Sequence, residues 1–247
     1  MIRASRQFVL AFIVIFATAD ERMEVVENLE SVFLRFYTGT TIDKYVDYSL
    51  DNARALQTKL IDDRRTVLYI HGFSEHLEKE SVQTIVQAYL KRNDHNIIAV
   101  SYAELANESY TKVVMSTAPI GAALALVLDN MVQTGFDPEK LYIVGHSMGG
   151  QIAGYVGRKV SFQLSRITGL DPAGPLFNIL VPHLSSSDAR FVDIIHTDYG
   201  FYGIGRNTGT VDFFPNGGTR VQPGCPKNFT FYSTEGMHDA SSKHRSG

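Results

Sequence analysis

The 247-residue sequence predicts an α/β fold class with a mostly parallel central sheet covered by helices on both faces. Two observations carry that prediction. Strand-like apolar runs alternate with stretches of helical apolar period as far as Arg158, and parallel strands need crossovers that leave helices over the sheet. One strand, Leu141-Tyr142-Ile143-Val144, leads directly into Gly145-His146-Ser147-Met148-Gly149 and then into another helical pattern.

Gly-x-Ser-x-Gly between a strand and a helix is the order a nucleophile elbow requires. The turn is tight enough to strain the backbone of Ser147, and Gly145 and Gly149 are small where neighbouring backbone passes close. Ser147 is expected at the carboxyl end of the sheet. The helix beginning there aims its first N–H groups at the same point, where they would stabilise a developing oxyanion. The bland alternative is a glycine-rich turn carrying a solvated serine.

Residues 1–19 read as a signal peptide. Arg3 and Arg6 precede the apolar run 8–19, and Ala17-Thr18-Ala19 has the small-x-small cleavage pattern. Twelve residues are too few to span a bilayer, so secretion is expected, with no stable transmembrane anchor. Residues 20–247 suffice for one α/β domain. Losing two arginines leaves 21 basic against 26 acidic residues, taking the net charge from −3 to −5, with no basic footprint for nucleic acid. Asn107-Glu108-Ser109 and Asn228-Phe229-Thr230 are glycosylation acceptors consistent with secretion. The single cysteine, Cys225, runs against the pairing usual outside the cell.

Residues 32–38 alternate as a first strand near the sheet edge, and residues 39–63 hold no more than a short strand and a loop. Residues 66–70 form a buried strand running into His71-Gly72-Phe73, a sequence placed where the Phe73 N–H could join that of Met148 in binding an oxyanion. Val82, Ile85, Val86, Tyr89 and Leu90 mark a helix, and residues 96–100 a strand. A second helix starts at residues 117–119, carries Ile120, Leu124, Val127, Leu128 and Met131 on its apolar face, and stops at Gly135. Strand 166–170 ends at Asp171, on the same sheet edge as Ser147 and well placed to orient a histidine. Capping the following Pro-Ala-Gly-Pro turn is the alternative for Asp171. Residues 191–196 and 211–214 complete the strands.

The residues alone do not select the histidine. His71 and His146 flank the motifs but have the wrong tether, and His76, His95 and His183 read as surface loop residues. His196, His238 and His244 all satisfy the order nucleophile, acid, histidine.

Gly145-His146-Ser147-Met148-Gly149, Gly169-Leu170-Asp171-Pro172-Ala173-Gly174-Pro175, Val192-Asp193-Ile194-Ile195-His196-Thr197-Asp198 and Asp212-Phe213-Phe214-Pro215-Asn216-Gly217-Gly218 stand in the order seen in the pancreatic lipase family of secreted α/β-hydrolases. The chain resembles that family from about Val32 to Ser246. The resemblance implies an α/β-hydrolase fold, Ser147 as nucleophile, Asp171 as acid and His244, in Ser242-Lys243-His244-Arg245-Ser246, as base. His196 then becomes a structural histidine, and Phe73 and Met148 the oxyanion donors. The implied chemistry is ester hydrolysis of lipids through an acyl-enzyme, with no metal or organic cofactor.

The chain departs from the family pattern in several places. Ser242 stands where the family closes a disulfide with the equivalent of Cys225, so that thiol is expected to be free. Ser185 replaces an aspartate of the calcium loop found in some relatives, and Ser101-Tyr102 replaces Asp-Trp. The chain ends three residues beyond His244, without the C-terminal β-sandwich of the larger lipases, which reads as a truncation. Only 16 residues lie between Cys225 and Ser242, similar to the short lids of phospholipase A1 and insect relatives. The expectation is a phospholipase A1-type or general lipase acting at a lipid interface. A non-catalytic lipid-binding or yolk-type storage protein on the same fold is the alternative.

Overall fold

The computed structural model describes residues 29–225. Eight strands form one sheet: β1 Phe33–Tyr37, β2 Tyr45–Ser49, β3 Arg65–Ile70, β4 His95–Ser101, β5 Leu141–His146, β6 Arg166–Leu170, β7 Phe191–Ile195 and β8 Val211–Phe213. Their spatial order is β2-β1-β4-β3-β5-β6-β7-β8. β1 runs antiparallel to both β2 and β4, and every pairing from β4 to β8 is parallel. The expected α/β-hydrolase architecture, a mostly parallel sheet between helical layers, is the one observed.

Alternation along the central strands explains the two layers. In β3, Val67 and Tyr69 face one side with Ile97, Ala99 and Val144, where they meet Val82, Val86 and Leu90 of helix α2, Glu80–Arg92. Leu68 and Ile70 face the other side with Ile98, Val100 and Ile143. That side is covered by α1 Ala53–Gln57, α3 Ala103–Ala106, α4 Tyr110–Gln133 and α5 Met148–Lys159. Ile152 and Val156 of α5 are wholly buried there, each worth about 1.5–3 kcal/mol relative to exposure.

Helix α4 begins seven residues before the proline-marked start at 117–119 and carries Pro119 in its interior. Burial of Val113, Val114, Ser116 and Thr117 extends the helix across the sheet despite the lost N–H. The carbonyl of Met115 loses its donor in consequence, but that residue is exposed and water can serve it. His95 opens β4 with its side chain only 14% exposed, and so is not a surface loop residue. The mixed stretch 39–63 contains β2 and the short helix α1.

The topology fixes where a site can form. From β3 the chain crosses through α2 to β4 on one side, and from β4 it returns through α4 to β5 on the other. The connections after β3 and β5 therefore leave adjacent strands at their carboxyl ends, around the point where strand order reverses. Those connections carry His71-Gly72-Phe73 and Ser147.

Candidate active site

Ser147 lies between β5 and α5 with φ 51° and ψ −115°, a backbone conformation that L-residues rarely adopt. Strain of this kind, about 1–3 kcal/mol, persists only where the surroundings over-determine it. Here the Ser147 N–H donates to the Leu170 carbonyl at 2.9 Å, and its carbonyl accepts from Gly150 and Ala173, both at 3.1 Å. A Cβ on Gly145 would run into the Gly149 carbonyl, and one on Gly149 into the carbonyls of Ile70 and His71. The two motif glycines are thus required by packing between β3, β5 and α5.

The loop after β3 closes against this turn. A Cβ on Gly72 would sit 3.0 Å from the Ser147 Cβ. Gly72 N–H donates to Glu75 Oε2 at 2.7 Å, Ser74 N–H to the Ala106 carbonyl at 2.8 Å, and Glu75 N–H to the Gly72 carbonyl at 3.3 Å. The Phe73 N–H, between them, has no partner among the described residues. The Met148 N–H, first in its helix, is likewise without one among the described residues, as expected for an initial turn. Phe73 sets its ring edge-on against Tyr110 at 5.3 Å.

Asp171, at the end of β6, is held at φ 46° with its N–H bonded to the Ile195 carbonyl at 2.7 Å. Its Oδ1 accepts the N–H groups of Thr197 and Asp198, each at 3.2 Å. Its Oδ2 accepts no hydrogen bond from any described residue. Ser147, Asp171, Phe73 and Met148 thus come together at one sheet edge. His244 lies outside the described residues, as do residues 1–19, Asn228 and the stretch between Cys225 and Ser242.

His71 and His196 occupy structural settings. His71 is wholly buried and stacked on Tyr102, with centroids 4.2 Å apart and planes 4° from parallel. Burial lowers its pKa to about 4, so the ring is neutral near pH 7, with Nδ1–H toward the Gly72 carbonyl and Nε2 accepting from the Tyr102 N–H. The Tyr102 hydroxyl donates to the His71 carbonyl at 2.7 Å, which gives this tyrosine its own packing role beneath the loop. His196 is also wholly buried, with Nε2 2.7 Å from Asp212 Oδ1.

Glu75 carries no motif and sequence reasoning missed it. Its carboxylate is almost wholly buried and meets His146 Nδ1 at 2.8 Å and the Ser81 hydroxyl at 2.6 Å in addition to Gly72. Burial alone would push its pKa up, but hydrogen bonds from His146, Ser81 and Gly72 hold it down at about 2. A glutamate two residues after His-Gly-Phe was the available signal.

Among the described residues no group of three or more His, Cys, Asp or Glu side chains is gathered for a metal. Around Ser185, Asp188 is buried and its pKa is raised by that burial. Its Oδ2 takes Arg158 Nη1 at 2.7 Å and the Ser185 N–H at 2.9 Å. Cys225 is exposed, with an unpaired thiol.

The family model for Lipase matches residues 16–244. Lipase member H-A of Xenopus laevis is 38% identical over 200 residues, covering 79% of this chain and 43% of that protein. Pancreatic triacylglycerol lipase of Myocastor coypus is 35% identical over 202 residues, covering 78% and 44%. The chain therefore spans less than half the length of these relatives. Among solved structures, an α/β hydrolase enzyme from a Medee basin deep-sea metagenome library gives a TM-score of 0.44 at 13% identity, covering 70% of this chain and 66% of that one. With nearly the whole sequence matched by its model, the chain belongs to the lipase family.

Proposed function

We propose that the chain is a secreted serine hydrolase of lipid carboxylic esters, of the phospholipase A1 type, acting through an acyl-enzyme on Ser147. The observation that carries this reading is the strained Ser147 beside two N–H groups, of Phe73 and Met148, that have no partner among the described residues. Membership of the lipase family supports the lipid ester as substrate class.

In the proposed mechanism His244 takes the Ser147 hydroxyl proton as Oγ attacks the ester carbonyl. The Phe73 and Met148 N–H groups receive the charge that develops on the carbonyl oxygen. Asp171 orients His244 through Oδ2, its Oδ1 being held by Thr197 and Asp198. Protonated His244 then releases the alcohol, and water activated by the same base cleaves the acyl-enzyme.

Exposed Tyr202, Phe213 and Phe214 lie beyond β7 on the Asp171 side and support contact with a lipid surface. The short interval between Cys225 and Ser242 supports the phospholipase subclass, because a small lid leaves room for a head group. Exposed Asn107, in a glycosylation tripeptide, fits the secretory reading.

The test uses the purified chain on phosphatidylcholine vesicles whose two acyl positions carry different fatty acids, beside a triacylglycerol emulsion. Release from the first acyl position, faster than from triacylglycerol, is expected. Release from the second position, or from triacylglycerol alone, rejects the subclass. Binding of vesicles without hydrolysis by folded protein supports the lipid-binding alternative.

A further inference from the structure

We infer that Glu75 is a positioning residue for the oxyanion site, its buried carboxylate fixing the turn that carries the Phe73 N–H against the strand end that carries Ser147. This rests on the hydrolase reading above.

Three segments converge on one carboxylate. Oε2 takes the Gly72 N–H and His146 Nδ1, from the residues immediately before Phe73 and Ser147, at 2.7 and 2.8 Å. Oε1 takes the hydroxyl of Ser81 in the first turn of α2, at 2.6 Å. A Cβ on Gly72 would lie 3.0 Å from Glu75 Oε2, 3.1 Å from His146 Nδ1 and 3.0 Å from Ser147 Cβ, so carboxylate, imidazole and nucleophile surround one glycine.

The turn is pinned on both sides of the Phe73 N–H. Gly72 is held by the carboxylate, Ser74 by the Ala106 carbonyl, and the intervening Phe73 N–H has no partner among the described residues. Without the carboxylate, Gly72 loses its partner, His146 loses its own, and the spacing between the Phe73 and Met148 donors is no longer set. Such donors act on charge present only in the transition state, so misplacing them lowers kcat and spares KM.

A merely structural glutamate would lower stability and leave the folded fraction fully active. Glutamine separates reach from charge. Its amide oxygen can accept from Gly72 and His146 while its NH2 donates to Ser81. Aspartate keeps the charge but withdraws the carboxylate by one methylene.

The experiment measures kcat and KM of wild type, Glu75→Ala, Glu75→Asp and Glu75→Gln on a soluble short-chain nitrophenyl ester, with folded fraction from thermal melting. Affinity for an alkyl boronic acid is measured alongside. For Glu75→Ala we expect kcat lower by about 10–100-fold, KM within about twofold and boronate affinity lower by the same factor as kcat. Glu75→Gln should recover to within about fivefold of wild type, and Glu75→Asp should fall below Glu75→Gln. If Glu75→Ala does not fold, the order of glutamine over aspartate in kcat at equal KM carries the test. Folded variants with wild-type kcat, or losses that vanish on correction for folded fraction, overturn the inference. A folded wild type that hydrolyses no ester and reacts with no fluorophosphonate shows instead that the hydrolase reading has failed.

Discussion

His196 Nε2 and Asp212 Oδ1 lie 2.7 Å apart inside the protein, with the imidazole wholly removed from solvent. Phe214 stacks on the ring at 4.6 Å and Tyr199 meets it edge-on at 5.0 Å. Asp212 also accepts the N–H groups of Thr208 and Gly209, so the pair ties the β7–β8 connection to the sheet. Replacing His196 with Ala opens a cavity and leaves a nearly buried carboxylate with only the Thr208 and Gly209 N–H groups, at a cost of about 2–4 kcal/mol. Urea denaturation should read that loss while the folded fraction still reacts with a fluorophosphonate. Loss of reactivity in folded protein would place His196 in the chemistry and remove the assignment of His244.

The strain at Ser147 gives a second prediction. At φ 51° both serine and alanine are disfavoured, whereas glycine accepts the conformation. Ser147→Gly should therefore be more stable than Ser147→Ala by about 1 kcal/mol, net of the extra freedom glycine gives the unfolded chain. Denaturation midpoints compared at one pH check the difference. Equal stabilities would mean that the elbow stores no strain.

His71 gives a pH dependence of definite sign. Its folded pKa, lowered by burial to about 4, lies below the ordinary 6.5, so the unfolded chain binds a proton that the folded chain refuses. The stability this group supports is complete above pH 6.5, declines as pH falls toward 4 and changes no further below it, a total of about 3 kcal/mol. His71→Asn, with Nδ2 in place of the Nδ1–H donor, should be less stable at pH 7 yet flatter across that window. Urea midpoints at pH 7, 5.5 and 4 test it. Parallel curves for the two proteins would show that His71 titrates normally.

Much of this was legible in the sequence because its signals are local. The β5–elbow–α5 order could be read from nineteen consecutive residues, since strand, glycines and helix all sit beside Ser147. Asp171 could be placed because a strand end needs only its own strand. The start of α4 departs from the expectation because a proline at 119 resembles a first-turn residue, while the burial of Val113 and Val114 that extends the helix is a tertiary effect. The position of Glu75 two residues after His-Gly-Phe was visible, but its contacts were illegible for the same reason. Its partner His146 is 71 residues away, and only the adjacency of β3 and β5 brings them together. The choice among His196, His238 and His244 rests on the family motif, and the structure adds the buried setting of His196.

Ser147 is proposed as a nucleophile activated by His244. Covalent labelling of the purified chain by a fluorophosphonate, with Ser147→Ala and His244→Ala alongside, decides between an assembled and an unassembled site, because the probe requires a base in place but no particular lipid. A single phosphonylated peptide containing Ser147 is expected, absent from Ser147→Ala and nearly absent from His244→Ala. Folded wild-type protein that takes up no probe, or label that survives Ser147→Ala, would contradict it.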